Sequence, residues 1–243
     1  MQTDALAQAI ADRLDLIRSR KPLIHHITNN VVTNLTANVT LAIGALPVMA
    51  PAIEESGQMV TAAGALVLNI GTLDPAQIES MIVAGKSANG RSVPIVLDPV
   101  GAGATNLRTE ASHRLLRELK IAIVRGNAGE VGVVAGAGGE VLGVESVGAT
   151  GDVAGLAKLT ASRFGLVAAI TGKRDVISDG KRLGYVDNGH ALLRSVTGTG
   201  CSATTAVACF AAVEPDRVLA ATAGLTCIGI AAEIGRASCR ERV

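Results

Sequence analysis

The chain has 243 residues and a formal charge of +1; 49% of residues are hydrophobic, 18% charged, 28 are glycine, and the aromatic set is Phe164, Tyr185 and Phe210. So few rings exclude a single-strand nucleic-acid binder that works by stacking, and the balanced charge argues against a phosphate-backbone binder. The apolar, glycine-rich composition is that of a folded chain, with a core of Ala, Val, Leu and Ile large enough for one domain.

Taken in chain order, the N-terminal stretch carries Asp4, Asp12 and Asp15, so it reads as neither a signal peptide nor a basic transit peptide. Its apolar positions Leu6, Ile10, Leu14 and Ile17 recur at helical spacing. Strands are predicted at Leu23–Ile27, Pro47–Ala50, Ala65–Ile70, Val93–Leu97, Ile121–Val124 and Leu166–Thr171. Helices are predicted between them at Val31–Ile43, Glu54–Ala63, Pro75–Ala88, Leu107–Leu119 and Asp152–Phe164. The strand runs are apolar throughout rather than alternating, which fits strands buried on both faces of a mostly parallel sheet. Asp175–Ser178 and Arg182–Val186 flank Asp179-Gly180, a hairpin signal that predicts an antiparallel edge. Two helices follow, Cys201–Val213 and Arg217–Ile234. The stretch Gly136–Gly155 reads as a long loop, and residues 1–235 as a single domain. The charged end, Arg236 to Val243, has no capping logic and reads as a non-native tail. The richest apolar stretch, Val39 to Ala52, contains Thr40 and Pro47 and is too short to span a membrane. Cys201, Cys209, Cys227 and Cys239 include no CxxC pair, so neither a disulfide framework nor a zinc knuckle is indicated, and a cytoplasmic location is expected.

In open α/β sheets ligands bind beyond the carboxyl ends of the strands, so the segments after each strand carry the chemistry. Asp98-Pro-Val-Gly-Ala-Gly-Ala104 offers a carboxylate that can face a metal or a phosphate, followed by glycines that admit close backbone approach. In Arg125-Gly-Asn-Ala-Gly-Glu130, Asn127 and Glu130 have the spacing of a capping box, and a ligand-binding role stands open beside that one. Thr197-Gly-Thr-Gly-Cys201 opens a helix, where unpaired N–H donors and the helix dipole make an anion site. Gly85-Lys86-Ser87 lacks the rest of a Walker A loop. Gly198-x-Gly200-x-x-Ala203 has no βαβ unit after it, so neither common nucleotide fingerprint applies.

Pro22-Leu-Ile-His25-His-Ile-Thr28-Asn29, Asn34-x-x-Ala37-Asn38 and Gly44-Ala-x-Pro47-Val-Met49-Ala resemble the N-terminal signature of the hydroxyethylthiazole kinase family. Leu68-Asn69-Ile-Gly71-Thr72, Leu97-Asp98-Pro-Val-Gly101, Arg125-Gly-Asn127-x-x-Glu130, Asn188-Gly189-His190 and Thr197-Gly-Thr-Gly-Cys201 extend the resemblance over roughly residues 5–234. The resemblance implies a ribokinase-like three-layer α/β/α sandwich. It also implies ATP- and magnesium-dependent phosphorylation of 4-methyl-5-(2-hydroxyethyl)thiazole in thiamine salvage, by a homotrimer with active sites between subunits.

By that resemblance Gly198, Thr199 and Gly200 give backbone donors to the transferring phosphoryl group, and Asp98 and Glu130 hold magnesium. Arg125 and Thr171 contact ATP, Met49 and Gly198 contact the thiazole, and Asn29 lies on the substrate side. Cys201 stands where most ribokinase-like kinases have aspartate. Two roles are open to it: a base made partly thiolate by the helix N-terminus, or a small residue seating the anion hole. Cys209 and Cys227 read as core. His25 reads as a structural hydrogen-bonding residue, His190 as a loop-shaping one and His113 as solvated. Tyr185, near the nucleotide side of the edge hairpin, is the ring to examine for ligand contact. Competing readings are a hydroxymethylpyrimidine kinase, an ADP-dependent hydrate dehydratase, and a nucleotide-binding protein without catalysis.

Overall fold

The apolar runs of the sequence form the centre of one sheet, whose strands are β1 (Leu23–Ile27), β2 (Leu46–Met49), β3 (Ala65–Asn69), β4 (Ile95–Asp98), β5 (Ile123–Asn127), β6 (Val167–Thr171), β7 (Asp175–Ser178) and β8 (Leu183–Val186). The computed structural model describes residues 3–136 and 152–240, so most of the predicted loop Gly136–Gly155 lies outside the described residues. The strand order is β2-β1-β3-β4-β5-β6-β7-β8. β1 to β6 pair in parallel, and β7 and β8 add the predicted antiparallel edge.

The helices are α1 (Thr3–Arg20), α2 (Thr33–Ile43), α3 (Ile53–Met59), α4 (Pro75–Gly90), α5 (Asn106–Glu118), α6 (Ala128–Val134), α7 (Val153–Phe164), α8 (Thr199–Ala211) and α9 (Arg217–Arg240). They cover both faces, because alternate residues of each strand point to opposite sides and both sides are apolar. Leu66, Leu68, Ile95 and Leu97 pack with Met81 of α4, Leu115 of α5 and Leu156 of α7. Ile24, Val67, Val96 and Ile123 face the other way, onto Ile17, Val207, Phe210 and Ala221. The result is the three-layer α/β/α arrangement expected.

The structure moves several predicted boundaries. The helix expected at Glu54–Ala63 divides into α3 and a 3₁₀ turn at Val60–Ala62, and a further 3₁₀ turn forms at Ala191–Ser195. β5 runs from Ile123 to Asn127 rather than Ile121–Val124, because Arg125, Gly126 and Asn127 continue the ladder against Ala169, Ile170 and Thr171. The last helix continues past Ile234 to Arg240 without a break at Arg236.

Arg217–Ser238 of α9 is a longer apolar segment, with a mean hydropathy of 1.7 and, by length and composition alone, enough to cross a membrane. One side of it is committed to the core through Ala220, Ala221, Ala223 and Leu225. A Cβ on Gly224 would lie 2.5 Å from Val207 N and 2.6 Å from Val207 Cα, so α8 and α9 meet backbone to backbone at that point.

Two buried histidines sit side by side on β1. His25 Nε2 lies 2.9 Å from Ala50 O, and a carbonyl can only accept, so Nε2 carries the proton. Thr40 Oγ1 donates to Thr36 O, so it accepts from His26 Nε2 at 3.1 Å. Both Nδ1 atoms are buried without a partner. Burial holds both rings below the ordinary histidine pKa, His26 at about 3. The structural role expected of His25 is the one observed.

Candidate active site

The parallel strands end on one edge of the sheet, and four of them end in a polar residue: Asn69 on β3, Asp98 on β4, Asn127 on β5 and Thr171 on β6. The first turn of α8 meets this edge. Gly198, with φ of +90°, starts α8, and a Cβ there would lie 2.7 Å from both Val32 and Leu35 of the α2 region. A left-handed backbone pressed against two side chains fits glycine alone. Ser202 N makes the first intrahelical bond, to Gly198 O, which leaves the N–H groups of Thr199, Gly200 and Cys201 as the open donors of the turn.

Asp98 is the centre of the constellation. Its Oδ2 accepts from Thr204 Oγ1 at 2.8 Å and Asn69 Nδ2 at 3.0 Å, and Arg125 Nη1 lies 3.8 Å away. Its Oδ1 is buried and has no partner among the described residues. Burial pushes the carboxyl up to about 6, against the opposing pull of Arg125. Arg125 is itself nearly buried; its Nη2 donates to Thr171 Oγ1 at 2.6 Å, its Nε has no partner among the described residues, and its guanidinium lies against Gly200. Sequence reasoning placed Arg125 in a loop, whereas its place in the β5–β6 ladder fixes where the guanidinium points.

Glu130 forms the capping box. Its Oε2 accepts from Asn127 N at 2.9 Å while Asn127 Oδ1 accepts from Glu130 N at 2.9 Å. Its Oε1 accepts from Gly101 N at 2.9 Å, so the same carboxylate ties the segment after β5 to the segment after β4. The carboxylate keeps unused lone pairs on both oxygens.

Cys201 Sγ accepts from Asn69 Nδ2 at 3.2 Å and Asn29 Nδ2 at 3.5 Å, and Asn29 Nδ2 also donates to Asn69 Oδ1 at 2.8 Å. Burial and the nearby Asp98 push the thiol pKa up, outweighing these donors and Arg125. The direction is opposite to the depressed pKa expected at a helix N-terminus, so Cys201 is a neutral thiol at neutral pH. Asn69 and Thr204 were not singled out by sequence. An Asn closing an otherwise apolar strand was the available signal for Asn69; Thr204 looked like an ordinary helical threonine.

Met49 is half-buried at the end of the edge strand β2, separated from β3 by β1, and the His25 bond to Ala50 O anchors the turn after it. Tyr185 is occupied by Arg174, whose guanidinium sits 5.6 Å from the ring centroid. His190 caps the 3₁₀ turn before α8 through Leu192 N, at 3.2 Å. His113 is half-buried on α5 rather than solvated, while Cys209 is core and Cys227 half-buried against it. A cavity of about 650 Å³ opens at the opposite edge of the sheet, lined by Pro94, Ala122, Leu166, Arg182 and Asp216; it includes none of the predicted site residues.

The sequence profile of the hydroxyethylthiazole kinase family matches residues 14–242. A hydroxyethylthiazole kinase of Desulfatibacillum aliphaticivorans is 61% identical over 221 residues, covering 91% of this chain and 82% of that protein. The hydroxyethylthiazole kinase structure from Pyrococcus horikoshii OT3 superposes with a TM-score of 0.88 at 42% identity, over 96% of this chain and 87% of that one. A ribokinase-like superfamily protein from Enterococcus faecalis V583 is similar in fold alone, with a TM-score of 0.62 at 10% identity over 86% of this chain and 77% of that one.

Proposed function

The chain belongs to the hydroxyethylthiazole kinase family, and from that premise we propose that it transfers a phosphoryl group from ATP, with magnesium, to the hydroxyethyl group of 4-methyl-5-(2-hydroxyethyl)thiazole, in thiamine salvage. The observation that carries this reading is the convergence at the start of α8. Three first-turn N–H groups, the Arg125 guanidinium against Gly200, and a buried Asp98 with an unpartnered Oδ1 all meet there. Phosphoryl transfer asks for positioned donors and charge neutralisation more than for covalent chemistry.

The donor set fits magnesium. Asp98 Oδ1 is a hard, buried oxygen without a hydrogen-bond partner among the described residues, and the Glu130 carboxylate lies across the same loop. When bound, the ion neutralises phosphate charge. The chain's own residues do the rest. The Thr199, Gly200 and Cys201 amides hold the transferring group, with Gly198 giving the turn its shape, in an electrostatic hole of the oxyanion type. Arg125 and Thr171 orient the nucleotide, and Asn29, Met49 and Gly198 border the thiazole alcohol. Cys201, a neutral thiol held by two amides, seats the hole; a loose transition state asks little of a base.

Val31 and Leu35 are exposed at the start of α2, where Val32 and Leu35 meet Gly198, and Leu41, Leu46 and Ile53 are exposed on α2, β2 and α3. Exposed apolar side chains beside the substrate side of the site support the homotrimer reading, with subunits meeting there. The free Cys201, Cys209 and Cys227 support a cytoplasmic setting. The test is a coupled ADP-release assay with the thiazole alcohol, a pyrimidine alcohol and no acceptor. ADP release specific to the thiazole alcohol is the expected result. Acceptor-independent release, or none from folded protein with magnesium, overturns it.

A further inference from the structure

We propose that Arg108 is a positioning residue for the reaction, a clamp that holds together the two loops on which Asn69 and Asp98 depend. β3 and β4 are paired in register as far as Asn69 and Asp98. Past the Ile70 N to Asp98 O bond at 3.4 Å, the two chains leave the sheet as loops. Arg108, in the first turn of α5, reaches back to both loops. Its Nη1 donates to Ile70 O at 3.0 Å and Val100 O at 2.7 Å, and its Nη2 donates to Gly71 O at 2.7 Å. One planar fork therefore joins three carbonyls from two loops, a geometry that lysine cannot reproduce. Among the described residues no carboxylate pairs with it, so its charge serves these carbonyl dipoles alone.

What the clamp holds leads directly to the reacting centre. Gly71 N donates to Asn69 Oδ1 at 3.0 Å, and the Gly71 backbone lies against the Asn29 amide so closely that a Cβ there would come within 2.6 Å of Nδ2. Asn29 and Asn69 are the two donors to Cys201 Sγ, and Asn69 also holds Asp98. On the other loop, Val100 lies two residues past Asp98. The first turn of α5 is fastened to the same loop by Thr109 Oγ1, which accepts from Gly103 N at 3.0 Å. Loosening the clamp displaces Asp98 and the thiol amides without removing any group that touches substrate.

The effect on turnover rests on the kinase reading above; the clamping of the loops does not. The test compares Arg108→Met and Arg108→Lys with the wild type. Three readouts are taken: amide hydrogen exchange, kcat and KM with ATP, magnesium and the thiazole alcohol, and recovery on adding millimolar guanidinium. In Arg108→Met we expect faster exchange confined to residues 70–73 and 99–104. We also expect kcat to fall about 10²-fold with KM for the alcohol little changed, as for a small misplacement of reacting groups. Guanidinium restores part of kcat, and Arg108→Lys lies between. Unchanged exchange in both loops, or kcat within about threefold of wild type, overturns the proposal. If Arg108→Met does not fold, Arg108→Lys is read by the same criteria. A wild type that releases no ADP with the alcohol, while exchange still localises to the loops in the variant, sinks the kinase reading and leaves the clamp standing.

Discussion

Arg108 and Glu130 hold opposite poles of a single peptide unit: Arg108 Nη1 binds the carbonyl of Val100, and Glu130 Oε1 accepts from the N–H of Gly101. Two residues after Asp98, the chain is thus pinned from both sides by groups on different helices. Groups that share one peptide act as a unit, so their losses should not add. The double variant Arg108→Met/Glu130→Gln is expected to lose less kcat than the product of the two single losses, measured by a double-mutant cycle.

Glu130 has a structural task and, on the proposed reading, a chemical one, and the two separate by substitution. Glu130→Gln keeps one carbonyl acceptor and loses the charge, so stability should fall by about 1 kcal/mol, the scale of a weakened cap. Activity should fall by a further 10²-fold or so if the carboxylate faces the metal. Denaturant unfolding and kcat measured on the same sample separate the two effects.

Asp98 carries its burial as a raised pKa, about 6 against 3.8 for a free side chain. A folded state that holds this proton more tightly than the unfolded state gains stability below pH 3.8 and loses it as pH rises through about 6. Asp98→Asn is therefore expected to melt higher than wild type at pH 7, with the advantage gone near pH 4, and to have no kinase activity. In the wild type, kcat/KM should decline below about pH 6. Melting curves and a pH–rate profile check both statements.

The two β1 histidines act in the opposite direction. Both are held neutral below their unfolded pKa of 6.5, His26 down to about 3, so the unfolded chain takes up protons that the folded one refuses. Stability should be flat above pH 6.5 and fall as pH drops below it, by up to about 1.4 kcal/mol per pH unit for each ring. His26→Gln should reduce that slope by about one proton's worth, read from unfolding between pH 6.5 and 4.5.

Cys201 tests whether the position wants a base. Two amides donate to Sγ and Arg125 lies near it, against the opposing charge of Asp98. Cys201→Asp is expected to keep or raise turnover, because aspartate is ionised at neutral pH where the thiol is not. Loss of activity in a folded Cys201→Asp protein would refute a base role at this position.

The sheet was legible in the sequence because a strand buried on both faces is apolar on both, and Ala65–Leu68 and Ile95–Leu97 are apolar throughout. Asp98 was legible for the same reason: a carboxylate ending such a run stands out. The end of β5 was not. Arg125, Gly126 and Asn127 have turn-like chemistry, and only their pairing with β6 makes them strand. Thr204 and Arg108 were illegible because each looks ordinary on its own helix. What distinguishes them is a partner reached across the fold, Asp98 for one and the Ile70, Gly71 and Val100 carbonyls for the other.

The contact at Gly224 has a consequence for inheritance rather than for chemistry. Any side chain there must push Val207 away, and Val207 belongs to the helix whose opening turn is proposed to hold the transferring phosphoryl group. A Gly224→Ala allele would therefore present as a catalytic defect, although the altered residue lies one helix behind the substrate. A genetic screen for inactive alleles should recover it alongside lesions in the hole itself.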